Sequence, residues 1–186
     1  DVDAYNNRGL VYYDQGDMEQ ALADYNKAIE LDPQYANAYY NRGNVYYRGG
    51  DLDQAIADYN KTIELDPQQS MPLLVRARIT LSRGDAAGAV GDCTKALKLA
   101  PSSAWGFSTL ALALAKQGRN DEAAAAATKA LQLAPADAES FAIRGKANVA
   151  LRHYKSAAHD VDRAIELDPS LKDSLAPELE ELKNRR

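Results

Sequence analysis

Residues 43–67 read GNVYYRGGDLDQAIADYNKTIELDP, and the fold is decided by that stretch because the rest of the chain repeats it with changes. Its closing Leu65-Asp66-Pro67 recurs, as Leu-Asp-Pro or Leu-Ala-Pro, at Pro33, Pro101, Pro135 and Pro169. Each proline stands 34 residues from the next, without an insertion. A glycine lies 17 residues before four of the five prolines, at Gly16, Gly50, Gly84 and Gly118, with Arg152 in the fifth place. A fixed period of this length marks a solenoid, in which each unit buries its apolar face only against its neighbours.

Within a unit the apolar spacing is helical. In the first, Ala4, Tyr5, Gly9 and Tyr12 lie three or four apart, as on one helix face. Gly16 supplies the left-handed residue that ends this helix. Asp17 with Gln20 three residues on resembles a capping box, and Ala21, Tyr25, Ala28 and Ile29 form a second buried face that Pro33 stops. The residues Gly9, Tyr12, Ala21, Tyr25, Ala28 and Pro33, and again Gly43, Tyr46, Ala55, Tyr59 and Pro67, resemble the pattern of the tetratricopeptide repeat (TPR) proteins. The resemblance spans residues 2–171 and implies an all-α, right-handed α-solenoid of five 34-residue helix–turn–helix repeats. The units are 2–35, 36–69, 70–103, 104–137 and 138–171, with a capping helix over 172–186, in one domain covering 1–186. The tail carries Leu175, Leu179 and Leu182 on one face and charges on the other, the polar-backed helix a solenoid needs over its last unit, with Pro177 in its first turn.

The units are not equivalent. The third has Ser70 as a cap and Pro72 in a first turn, but Gly88 and Gly91 weaken its second helix. The fourth has Trp105 and Phe107, then an alanine run from Ala123 to Ala127 that admits close neighbours. Ten of the eleven tyrosines fall in the first two units.

A net charge of −5 argues against general binding of nucleic acid or anionic membrane. No apolar run is long enough to span a bilayer. The chain opens at Asp1 rather than methionine, so a removed targeting segment would leave no trace; a soluble protein is expected, the cytoplasm favoured over the periplasm. One cysteine allows no internal disulfide; Cys93 takes the place of Tyr25 and Tyr59 and is expected to be buried and inert.

The family pattern has leucine before the first-helix glycine, whereas this chain has Arg8, Arg42, Arg76 and Arg144 there. Sixteen residues after each comes Asp24, Asp58, Asp92 and Asp160, and the fourth unit replaces both partners at once with Leu110 and Ala126. Antiparallel helices hinged at the glycine would bring the members of each pair together, so a ladder of structural ion pairs is expected rather than four ligand-binding arginines.

Catalytic patterns are wanting. His153 and His159 do not share a helix face as zinc ligands would, and no phosphate-binding glycine loop occurs. The expectation is a non-enzyme with no cofactor and no metal.

In TPR proteins the first helices line a concave groove. The resemblance therefore implies a protein-interaction adaptor or scaffold that holds a peptide segment or partner protein there, without nucleic acid and without direct insertion into a membrane. The alternative is a structural scaffold that forms homo-oligomers through its repeat stack. The groove stripe is Asn37, Tyr40, Asn44 and Tyr47 in the second unit, Met71, Leu74, Arg78 and Leu81 in the third, and Trp105, Ser108, Leu112 and Ala115 in the fourth. Asn37, Tyr40, Asn44, Tyr47, Leu74, Arg78 and Trp105 are the expected partner-binding residues. Some members of the family grip the terminal carboxylate of chaperone tails with cations from three successive first helices. No three successive helices here supply two cations in that register: Arg78 stands alone, and Glu139 would repel the carboxylate.

Overall fold

The computed structural model describes residues 1–185. Among them every regular element is helical and no strand occurs. The chain divides into two compact units, residues 1–79 and 80 onward, with the division inside the fifth helix. The first unit holds α1 (Val2–Gln15), α2 (Met18–Leu31), α3 (Ala36–Gly49), α4 (Leu52–Leu65) and most of α5 (Ser70–Ser82). The second holds α6 (Ala86–Leu99), α7 (Ala104–Lys116), α8 (Asn120–Leu133), α9 (Ala138–Ala150), α10 (Tyr154–Leu167) and α11 (Ala176–Lys183). The 34-residue period is thus a pair of helices, and α5 starts at Ser70 itself rather than after it.

The turns inside the pairs explain the glycines. Gly16, Gly50, Gly84 and Gly118 all have positive φ, between 74° and 88°. The Gly16 N–H donates to the carbonyl of Tyr13 and that of Asp17 to Tyr12, so the last carbonyls of α1 are satisfied as the chain reverses. Arg152 takes the same place at φ 62°, a left-handed conformation that costs an L-residue free energy. The second helix then starts on a side-chain cap: Asp17 accepts from the Gln20 N–H at 3.1 Å and Asp51 from the Gln54 N–H at 3.2 Å. The linkers between pairs are extended at Asp32 and Asp168, where the chain leaves the helix before proline.

Packing within a pair is set by complementary sizes sixteen residues apart. A Cβ on Gly9 would lie 2.7 Å from Tyr25 Cε1, and one on Gly43 would lie 2.9 Å from Tyr59 Cε1. The missing side chain is what lets each tyrosine ring pack directly against the facing helix. In the fourth repeat the tyrosine shrinks to Ala127, which leaves room for the glycine to become Ala111, and both sit in one cluster with Leu114 and Ile143.

Three of the expected rungs each lie within one compact unit, and all three are formed. Arg8 donates two bonds to Asp24 at 2.7 and 2.6 Å, Arg42 two to Asp58 at 2.8 and 2.7 Å, and Arg144 two to Asp160 at 2.8 and 2.7 Å. The forked geometry raises the pKa of Arg42, chiefly through the hydrogen bond to Asp58. A further partner lies sixteen residues upstream, which the sequence pattern had not suggested. Arg42 donates to Asn26 at 2.7 Å, Arg76 to Asn60 at 2.6 Å and Arg144 to Thr128 at 3.2 Å. Aromatic rings also flank the guanidinium: Arg42 lies 5.5 Å from the Tyr39 ring centre and 6.0 Å from that of Tyr46. In the fourth repeat Leu110 packs instead on the cluster that holds Ala126.

The tail differs from the single helix expected over 172–186, whose last residue, Arg186, lies outside the described residues. Residues Pro169–Leu175 form a 3-10 helix, and α11 follows from Ala176. Pro177 has no N–H to bond the carbonyl four residues back, so a continuous α-helix through this point would lose a rung. The apolar face does cover the last repeat: Leu175 and Leu182 are buried with Phe141, Val161 and Ala164.

Two outcomes are expected. A double-mutant cycle on Arg42 and Asp58, followed by denaturant unfolding, should give a coupling above about 1 kcal/mol, since removing one partner strands a buried charge. The Arg8–Asp24 coupling should be smaller, because the Arg8 side chain is 57% exposed against 20% for Arg42; equal couplings would contradict this order. Separately, Arg152→Gly should raise the unfolding free energy by about 0.5–1 kcal/mol by removing the left-handed penalty.

Candidate functional site: the first-helix surface

Exposed large apolar side chains are concentrated on first helices. Six occur among the described residues, and four of them, Leu10, Val11, Tyr47 and Met71, lie on α1, α3 and α5. The other two, Leu31 and Leu133, end second helices.

On α3 the four expected residues share one face at intervals of three and four. Asn37 and Tyr47 are exposed, Tyr40 and Asn44 half-buried. Their support comes from beneath. The Tyr59 ring of α4 is fully buried, lies 6.1 Å from the Tyr40 ring at 49°, and its hydroxyl donates to Asn44 Oδ1 at 2.8 Å. Burial pushes the Tyr59 pKa up, so this hydroxyl stays protonated and remains a donor. Gln69 likewise donates to Asn37 Oδ1 at 3.1 Å. Both asparagines thus have their carbonyl oxygens occupied from within; the Asn37 amide also bonds to the Tyr35 hydroxyl, while that of Asn44 makes no bond among the described residues. The Asn44 amide beside two tyrosine rings can bind a peptide carbonyl while the rings cover apolar side chains.

Next to this face, Arg48 lies 5.4 Å from the Tyr13 ring centre. Asn41 donates to Asn6 at 2.8 Å in a buried bond, so these two first-helix asparagines are committed to each other. Leu74 is 1% exposed and offers no surface to a partner; Pro72 beside it is buried too, and Met71 is the exposed residue of that turn. Arg78 is half-buried.

In the second unit Trp105 is half-buried near the start of α7. Ser108 is buried and accepts from the Ser140 hydroxyl at 3.1 Å. A small cavity of about 230 Å³ opens between α7 and α9, lined by Leu112, Ala115, Lys116, Ile143 and Lys146. The Tyr59 support and this cavity were missed in the sequence; position 59 read as core packing, and a cavity has no sequence signature of its own. Cys93 is fully buried, His153 and His159 are exposed, and no cluster of three metal-ligating side chains occurs among the described residues. No helix among them is long and apolar enough to cross a membrane.

Paired helices of constant length, a left-handed turn in each pair, and small–large complementarity across it define a helical-hairpin repeat protein. The profile of the TPR repeat matches residues 9–50, and that of the tetratricopeptide repeat matches residues 36–69 and 104–137. The chain belongs to the tetratricopeptide repeat family. Its fold is similar to that of YrrB, described as a TPR protein with an unusual peptide-binding site, at 24% identity, TM-score 0.78, and 91% of this chain against 87% of that one. It is also similar to MamA from Desulfovibrio magneticus at 22% identity, TM-score 0.80, covering 91% and 96%. PilF of Pseudomonas aeruginosa matches at 21% identity, TM-score 0.76, covering 98% and 87%. No curated protein matches the chain in sequence.

Tyr25 and Tyr59 are repeat equivalents with opposite bonding. The Tyr25 hydroxyl is buried without a hydrogen-bond partner among the described residues, since Leu10 stands where Asn44 serves Tyr59. Tyr59→Phe should therefore cost about 1 kcal/mol, whereas Tyr25→Phe should be neutral or stabilising in the same unfolding assay. Equal losses would show that the Asn44 bond does not support the face.

Proposed function

We propose that this chain is a non-catalytic interaction module that takes an internal segment of a partner protein on its first-helix surface. One observation carries the reading: exposed apolar side chains gather on the first helices, beside Asn44, whose carbonyl is held by Tyr59 and whose amide donors are uncommitted among the described residues. Exposed apolar groups flanked by polar ones mark interaction surfaces. Tyr40, Tyr47, Asn37 and Asn44 are the proposed contacts on α3, with Met71 and Arg78 on α5; Trp105 is proposed as a contact of the second unit. Their rigid helices and internal hydrogen bonds leave little side-chain freedom to lose on binding, which is how a small surface gains affinity. The peptide-binding site attributed to YrrB supports this reading at the level of the shared fold.

A second reading, self-association, draws on the α1 surface. Val11 is 52% exposed, while its repeat equivalent Val45 is 3% exposed and packed with Ala21 and Tyr25. A second copy that covered α1 would bury Val11 as α2 buries Val45.

Fluorescence titration decides between them. Apolar internal peptides should bind, free-acid and amidated chaperone tails should behave alike, and Tyr47→Ala or Asn37→Ala should weaken binding about tenfold or more. Binding that disappears on amidation and survives Tyr47→Ala would overturn the proposal. Sedimentation at several concentrations should show a monomer; a dimer abolished by Val11→Lys would establish self-association instead.

A further inference from the structure

Repeat equivalence exposes a second surface, on the opposite helices, that the first-helix reading does not use. Between α8 and α10, over α9, lies an open cavity of about 780 Å³. Its floor includes Ala124 and Ala125, and Lys129, Gln132, Asn148 and Lys155 stand around it. The same columns in the first two repeats are occupied by different chemistry. Ala124 corresponds to Leu22, Asn148 to Tyr46, Gln132 to Glu30, Lys155 to Asp53 and His159 to Ala57. Leu22 packs on the core cluster of α2, and the Tyr46 ring lies over the Arg42 guanidinium, 6.0 Å from its centre. In the later repeats both large side chains are gone. Asn148 instead donates to Asp160 Oδ2 at 3.2 Å, and the space that the ring fills in the earlier pair is open.

The charge changes with the volume. Exchanging Glu30 and Asp53 for Gln132 and Lys155 removes two carboxylates and adds an ammonium, so a groove with a net negative charge becomes one with a net positive charge. This occurs in a chain whose total charge is −5. Lys27, the equivalent of Lys129, is paired with Glu30 at 2.9 Å. Lys129 has no carboxylate partner among the described residues; its ammonium lies 5.4 Å from the Phe107 ring centre. Lys155 makes no ion pair there either. Two unneutralised cations thus flank a cavity with small apolar residues in its floor and Gln132, Thr128 and Ser156 on its walls.

We propose that this groove binds an acidic peptide segment, with carboxylates on Lys129 and Lys155 and the polar wall groups on the peptide backbone. The arginine in the groove argues against a phosphate. Arg144 gives two donors to Asp160 and a third to Thr128, so three of its five N–H groups, including the fork it turns to the carboxylate, are already engaged. The buried Asp160 would repel a dianion more than a single carboxylate. Lysine ammonium groups without a fork act as point charges, which suits carboxylates held one at a time. The groove lies wholly in the second unit and stands independently of the first-helix proposal.

The test uses the full chain, labelled with nitrogen-15, and a capped heptapeptide alternating alanine with glutamate. A glutamine version of the peptide and inorganic phosphate serve as comparators. Amide shifts should move in α8 and α10, around Lys129, Lys155 and Ser156, with the glutamate peptide alone. The combined Lys129→Gln and Lys155→Gln variant should weaken binding tenfold or more. Ala124→Leu with Asn148→Tyr, which restores the side chains of the earlier groove, should block binding while leaving both lysines. Lys27→Gln should change nothing. Equal binding of the glutamine peptide, shifts confined to other helices, or retention of affinity in the double-lysine variant would each overturn the proposal. Saturable binding of phosphate at this groove in preference to the glutamate peptide would overturn the ligand assignment.

Discussion

A guanidinium shared among helices is the interaction on which the rest depends. Arg42 is bound to Asp58 within its own hairpin and to Asn26 on the preceding second helix, and Arg144 repeats this with Asp160 and Thr128. One side chain therefore closes the hairpin and locks it to its neighbour. A leucine at this position could pack but could not fix direction. The forked bonds to the carboxylate set the register of the two antiparallel helices, and the upstream bond sets the register of one repeat on the next. Burying such charges costs desolvation that the bidentate geometry must offset, and the flanking tyrosines contribute their ring faces to the same cation.

The period, the turns and the ladder were legible in the sequence because each depends on spacing. Glycine at the left-handed turn and aspartate one residue later are local requirements, visible without a structure. The pairing of arginine with aspartate showed because the fourth repeat loses both. The bonds to Asn26, Asn60 and Thr128 were not legible, since asparagine and threonine on a helix surface carry no such signal. Leu74 failed as a surface residue for a related reason. Periodicity places it on the stripe, but the burial of a leucine depends on what lies across from it. The leucine spacing of the tail is that of one helix, while the structure has a 3-10 segment that ends at Leu175 and an α-helix with Pro177 in its first turn.

The groove surfaces were less legible than the scaffold for a physical reason. A scaffold position repeats every 34 residues, so five copies report on it. A binding position departs from the repeat, and a single departure looks like drift. Only when several departures meet in space, as Ala124, Asn148 and Lys155 do, do they read as a site. Asn44 and Tyr59 show the converse: a residue pair common to a generic repeat can still prepare a surface by holding one amide still.

The place where the ladder is interrupted also has a consequence for motion. Between α6 and α7 the guanidinium is replaced by Leu110, whose contacts are apolar and without direction. Opening that seam exposes alkyl surface with no guanidinium bond at this position to break, whereas opening α8 from α9 must also part Arg144 from Thr128. Solvent exchange of backbone amides should therefore begin in α7 at a lower free energy than in α9. The seam makes the array a chain of unequal links, with a preferred point of local opening written into it by one leucine.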